Sequence, residues 1–185
     1  MTRCGNPVRV LELTVPTLDL HQEWLQAHDE WAGRHQDGAG LHADEEVASA
    51  AGFTAWVARL LREGDDDLPL AVDRVHCSYW WITDERTVLG AIALRHDLNA
   101  FLLDAGGHVG YGVRPSARRR GVASWALEQV LERAWARGLD RVLVTCDVTN
   151  VASRRTIEGQ GGVLEDVRDT ALGRVRRYWI DRRGS

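Results

Sequence analysis

The sequence predicts a single α/β domain, a mixed sheet with helices packed on it, and three observations carry that prediction. Short apolar blocks with strand character alternate with longer stretches whose apolar residues recur at helical spacing. The predicted order, β-α-α-β-β-β-α-β-α-β, runs through the chain without a linker, a repeat or a low-complexity break. The length, 185 residues, is that of one domain able to bury a core.

Val8 to Leu13 (VRVLEL) alternates apolar and polar residues, as a half-buried strand does. Pro16 interrupts it, and Thr17 or Asp19 is placed to cap a helix reaching about His35. Gln36 to Gly40 is a glycine-containing loop, and a second helix covers Asp44 to Arg62, ended by Gly64 and an acidic run. Val75 to Thr83 and Thr87 to His96 are adjacent strands joined by the turn Asp84-Glu85-Arg86. Asp97 to Gly107 is a short helical turn and loop. His108 to Arg114 (HVGYGVR) is a strand stopped by Pro115. Ser116 to Arg137 is an amphipathic helix with Ala123, Leu127, Val130, Leu131 and Ala134 on one face. After Gly138, Arg141 to Cys146 (RVLVTC) has the near-continuous apolar run of a buried strand. Asn150 to Gln160 is a helix closed by Gly161-Gly162, and Gly173 to Ile180 is the last strand.

Composition narrows the function classes. Hydrophobic residues at 44% and charged residues at 27% describe an ordinary globular protein. No apolar run behind a basic start marks the N-terminus, so neither a signal peptide nor a membrane span is expected. Cys4, Cys77 and Cys146 are scattered, with no CxxC pair and no zinc spacing. That pattern predicts no disulfide framework, no metal site and a reducing, cytoplasmic setting. A net charge of −4 argues against nucleic acid as the main partner. Acidic residues crowd the first two thirds (Asp37, Asp44-Glu45-Glu46, Asp65-Asp66-Asp67, Asp84-Glu85), and arginines crowd the chain from Arg114 onward. Such an asymmetry suits an enzyme joining a cationic substrate to an anionic cofactor, although any one run taken alone is more often a solvated face. Of eight tryptophans, Trp24, Trp31, Trp56, Trp80 and Trp81 fall in the substrate half; most belong to the core, and one or two are available to floor an amine or sugar cleft.

The segment Val113 to Ala123 (VRPSARRRGVA) carries the chemistry. A strand ends at a proline, and a basic turn with one glycine leads directly into a helix. Gly121 lets the backbone approach a ligand closely because it has no Cβ. The free N–H groups of Arg119 to Ala123, with Val122 between, open the new helix and meet anions at its positive end. Arg118, Arg119 and Arg120 surround that point with cationic side chains, as a pyrophosphate requires.

Arg118-x-x-Gly121-x-Ala123 after a V-x-P strand end resembles the acetyl-CoA motif of the GNAT superfamily of N-acetyltransferases. The resemblance extends over about Val75 to Ile180, with the N-terminal helices filling the variable substrate region. It implies a mostly antiparallel mixed sheet, splayed at the acetyl-CoA site and flanked by helices. It also implies that the backbone of Tyr111, Gly112 and Val113 lies along the pantetheine arm, and that Asn150 and Ser153 hold the cofactor near the next strand's end. Many members carry a tyrosine on the last helix that protonates the departing thiolate; here the matching position is Ile157. Tyr111, a water or the free thiolate must then serve. RHDLN (Arg95 to Asn99) and GGHVGYGVRP resemble one bacterial branch of the superfamily, near aminoglycoside-modifying and kasugamycin-modifying acetyltransferases linked to antibiotic resistance.

Such an enzyme aligns a neutral amine against the thioester carbonyl, with a backbone N–H near Val113 polarising the oxygen. The first candidate for the base is His108, on the cofactor strand; Asp147, at the tip of the neighbouring strand, and Glu85 are others. The expected acceptor is a small polar cationic amine, with a homodimer left open as the assembly. A protein N-terminus or lysine is the alternative acceptor, and an acetyl-CoA-binding sensor without catalysis is the non-enzymatic one.

Overall fold

The computed structural model describes residues 10–182. Its elements run β1 (Leu11–Thr14), α1 (His21–Asp29), α2 (Ala50–Glu63), β2 (Cys77–Asp84), β3 (Thr87–Arg95), β4 (Val109–Val113), α3 (Val122–Ala136), β5 (Arg141–Asp147), α4 (Val151–Gly159), β6 (Val163–Thr170) and β7 (Gly173–Asp181). The strands form one sheet in the order β1-β2-β3-β4-β5-β7-β6. Every neighbouring pair is antiparallel except β4 and β5. This is the single α/β domain with a mostly antiparallel sheet that the sequence led us to expect.

Each face of the sheet has its own core. On one, Ala126, Leu127, Val130 and Ala134 of α3 pack with Ile82, Ile92, Leu94, Val142 and Val144, so the α3 apolar stripe is fully buried. On the other, Trp24, Phe53 and Trp56 of α1 and α2 pack against Trp81, Val88 and Ala91. Trp24, Trp31, Trp56 and Trp81 are all buried, and Trp80 lies beneath the Arg133 guanidinium at 5.5 Å. These tryptophans build core rather than a cleft floor.

Several boundaries differ from the sequence reading, each for a local reason. Helix α1 stops at Asp29, short of His35, because Ala32 (φ 48°) and Gly33 (φ 75°) turn left-handed. Helix α2 begins at Ala50, since Glu46 holds the N–H groups of Ala48 and Ser49 at 2.5 and 2.9 Å before Ser49 caps the helix. Helix α3 begins at Val122: a 3-10 turn over Pro115–Ala117 and left-handed residues at Arg119 and Gly121 occupy the segment before it. Strand β6 was not expected. It is an edge strand with Val163, Leu164 and Val167 exposed, so no buried face imposes an apolar pattern on it. Val8 and Arg9 of the first predicted strand, and Cys4, lie outside the described residues. Among the described residues no helix is long and apolar enough to cross a membrane.

Candidate active site

Strands β4 and β5 share one ladder pair, Val109↔Val144, and diverge beyond it. Polar contacts tie the closed end. His108 N–H donates to Leu143 O at 2.7 Å, Leu143 N–H donates to His108 Nδ1 at 2.9 Å, and Thr145 Oγ1–H donates to Ala105 O at 2.7 Å. On the other edge of β4, Arg95 N–H reaches His108 O and Arg114 N–H reaches Leu89 O, both at 2.8 Å. That spacing puts the even-numbered residues on the β3 ladder. The backbone of Tyr111 and Val113 therefore faces the gap. Gly112 lies under the α1–α2 segment, where a Cβ would stand 2.8 Å from Trp31 Cη2 and 2.9 Å from Asp37 O. Only glycine allows this crossing.

The open end of the gap leads to the start of α3. No side chain caps that helix, and among the described residues no acceptor takes the N–H groups of residues 119–124. A Cβ built on Gly121 would meet nothing within 4 Å, so the approach is open, and its φ of 78° is left-handed. Uncapped amides, a positive helix end and the exposed side chains of Arg119 and Arg120 fit a pyrophosphate. Arg118 contributes differently from expectation. Its Nε–H donates to Val113 O at 2.9 Å and its guanidinium lies over Trp31 at 5.2 Å, so it braces the loop. The Val122 side chain is buried in the core and Ala123 packs beside it, leaving their amides to face outward.

Across the gap stands the first turn of α4. Asn150 is its N-cap, accepting from Ser153 N–H at 3.0 Å, and Ser153 Oγ is 2.8 Å from the Tyr111 hydroxyl. Burial pushes the Tyr111 phenol up to about 12. It is a proton donor throughout the neutral range. Ile157, at the position where the resemblance would place a tyrosine, is wholly buried in the α3 core.

The three residues expected as bases lie elsewhere or are otherwise engaged. His108 sits at the closed end of the strand pair, 5% exposed, with Nδ1 occupied by Leu143 N–H. Burial drives it down to about 4, so it is neutral and already bonded where a base would need its lone pair. The polar groups around it, Asp66, His76, His96, Asp97 and Arg137, line a cavity of about 560 Å³ at that end. Asp147, at the tip of β5, accepts from Thr149 Oγ1–H and N–H at 2.5 and 2.7 Å, and the hydroxyl bond above all lowers its carboxyl. Glu85 is an exposed residue in the β2–β3 turn, with φ 52°, two strands away from the gap. The polar groups at the gap itself are those of Tyr111, Val113 and Ser153.

The acidic rim is also reassigned. Glu23 pairs with Arg86 at 2.9 Å, Glu45 and Glu63 with Arg59 at 2.7 and 2.9 Å, Glu30 with Arg114, and Asp66 with Arg137. Two of these pairs, Glu30 with Arg114 and Asp66 with Arg137, join the acidic part of the chain to the basic part, whereas Arg59 and Arg86 lie within the acidic part. Glu30 was not singled out because no local motif surrounds it.

The sequence matches the acetyltransferase (GNAT) family over residues 53–161, more than half of the chain. No curated protein matches it. Among solved structures it is similar to the microcin C7 self-immunity acetyltransferase MccE in complex with acetyl-CoA and AMP, at 14% identity and a TM-score of 0.69, covering 98% of each chain. It is similar to RimL, a ribosomal L7/L12 alpha-N-protein acetyltransferase in complex with coenzyme A, at 17% identity and a TM-score of 0.70, covering 96% of each chain. It is also similar to Mycobacterium smegmatis RimJ in complex with CoA-disulfide, at 16% identity and a TM-score of 0.70, covering 95% of this chain and 83% of that one.

Proposed function

Because this chain belongs to the acetyltransferase (GNAT) family, we propose that it is an acetyl-CoA-dependent N-acetyltransferase that acetylates a primary amine. The observation that carries this reading is the opening of β4 from β5 after one ladder pair, ending at the uncapped start of α3. The amides of residues 119–123, with Arg119 and Arg120, would hold the pyrophosphate, and the free backbone edge of Tyr111 to Val113 would hold the pantetheine arm. Asn150 and Ser153 form the opposite wall. When bound, acetyl-CoA supplies an activated acyl group.

The chain's own residues then position and polarise. Val113 N–H, unpaired on the gap side, is placed to stabilise negative charge on the carbonyl oxygen. The Tyr111 hydroxyl, held by Ser153 Oγ, is the proton donor for the leaving sulfur, taking the role that Ile157 leaves vacant. Removal of the ammonium proton falls to water, since neither His108 nor Asp147 suits the task. Positioning supplies much of the remaining rate.

Pairing with Arg59 and Arg137 takes up Glu45 and Asp66, two of the acidic residues expected to gather a polyamino sugar. That favours the α-amino group of a polypeptide over a polycationic aminoglycoside. RimL, among the similar structures, is a protein α-N-acetyltransferase, which agrees with this reading. The test is free-thiol release from acetyl-CoA across peptides with free N-termini, lysine peptides, aminoglycosides and small monoamines. Turnover on free N-terminal peptides alone supports the reading, and preference for aminoglycosides restores the alternative. Acetyl-CoA binding without turnover on any amine would make the chain a sensor.

A further inference from the structure

The residue that closes α1 grips the segment between β4 and α3. Glu30 Oε1 accepts Arg114 Nε–H at 2.8 Å, a second Arg114 N–H, and Ser116 Oγ–H at 2.8 Å. Its other oxygen accepts Ser116 N–H at 2.9 Å. Trp31, the next residue, lies beneath Arg118, whose Nε–H holds the Val113 carbonyl. Residues 114, 116 and 118 are thus all fastened, whereas the amides of 119–124 have no acceptor. The Arg114 hydrogen bonds hold the Glu30 carboxyl at about 2, so the clasp is charged at any neutral pH.

A loop that must order itself when it meets a phosphate loses affinity to that ordering, and a loop fastened beforehand does not. We propose that Glu30 is a positioning residue for the cofactor loop: by holding Arg114 and Ser116 to the end of α1, it keeps the amides of residues 119–124 aimed at the pyrophosphate. The inference rests on reading those amides as the acetyl-CoA phosphate site. It also assigns Arg114 away from the cofactor, because its guanidinium is already neutralised within the protein. The same helix end continues into the loop that crosses β4 at Gly112.

Calorimetric titration of the full chain with acetyl-CoA, compared for Glu30→Gln, Glu30→Ala and Ser116→Ala, tests this. Glu30→Ala is expected to raise the acetyl-CoA Kd and KM about tenfold, with kcat at saturation and the acceptor KM within about twofold of the parent. Glu30→Gln, which keeps an oxygen acceptor, should fall between, and Ser116→Ala should give the smallest rise. If Glu30→Ala does not fold, the isosteric Glu30→Gln and Ser116→Ala decide. A lowered Tm with unchanged acetyl-CoA Kd in these variants would reduce Glu30 to a structural tie and overturn the inference. Absence of acetyl-CoA binding by the parent chain would instead remove the phosphate-site reading itself, and this inference with it.

Discussion

The two ends of β4 differ in one respect that explains the molecule. At the Val109 end every neighbour is tied: His108 exchanges bonds with Leu143 in both directions, and Thr145 closes on Ala105. At the Val113 end the ladder has stopped, and the N–H groups of Tyr111, Val113 and residues 119–124 have no acceptor among the described residues. The closed end contains more ionisable side chains and a cavity of about 560 Å³, yet those groups chiefly satisfy one another. Unspent hydrogen-bonding capacity, rather than a concentration of histidines and acids, is what distinguishes the open end.

The sharpest way to break that contrast is to block the open end. Gly121→Glu places a carboxylate where the phosphates would lie, in a space the protein itself leaves empty. Acetyl-CoA affinity should fall by about a hundredfold or more in calorimetry. The left-handed φ at Gly121 makes the change cost on the order of 1 kcal/mol of stability, leaving the chain folded by circular dichroism. Undiminished affinity in a folded variant would place the cofactor elsewhere.

A smaller kinetic effect is expected at the wall of the gap. Tyr111→Phe removes the phenol that Ser153 holds, and kcat should drop about tenfold with the acetyl-CoA KM little changed, because a thiolate leaves tolerably without help. Normal kcat in this variant would transfer the proton donor to water.

The closed end should respond in stability and not in catalysis. His108 is about 4 in the folded chain and near 6.5 when unfolded, so the unfolded state takes up its proton first as pH falls. Its contribution is complete above about 6.5 and is lost as pH drops toward 4, a change of at most about 3 kcal/mol. His108→Gln should flatten the pH dependence of urea unfolding in that window while kcat/KM keeps the same pH profile. Loss of an acidic limb from the rate profile would return the base role to His108.

The weakest expected response is to salt. With Glu23, Glu30, Glu45, Glu63 and Asp66 paired internally, kcat/KM for a polycationic amine should shift by no more than about twofold across the physiological range. A steep fall would reveal an acidic rim in use.

How much of this was legible in the sequence depends on how local the signal was. Strands β2 to β5 and helices α2 to α4 were visible because a buried face writes its period into neighbouring residues. The turn proposed as the cofactor loop is legible for a similar reason, its strand end, glycine and helix start lying within a dozen residues. Strand β6 left no trace, since it has no buried face and exists through pairing with β7. The burial of His108 was not legible, because HVGYGV does not reveal at which end β5 parts from β4, nor that Leu143 N–H occupies the ring nitrogen. The pairing of Glu30 with Arg114 spans 84 residues, a contact that only the assembled fold creates. Charge segregation along the chain is real, and part of it is spent within the protein, in the pairs Glu30–Arg114 and Asp66–Arg137.

Amide hydrogen exchange with and without acetyl-CoA tests the contrast between the two ends most directly, because it reads the backbone groups themselves. Bound acetyl-CoA is predicted to slow exchange at Tyr111, Val113 and residues 119–124 and to leave His108 and Leu143 as they were. Protection centred on the His96 to His108 end, or none at residues 119–124 under saturating acetyl-CoA, would contradict the assignment of the open end as the active site.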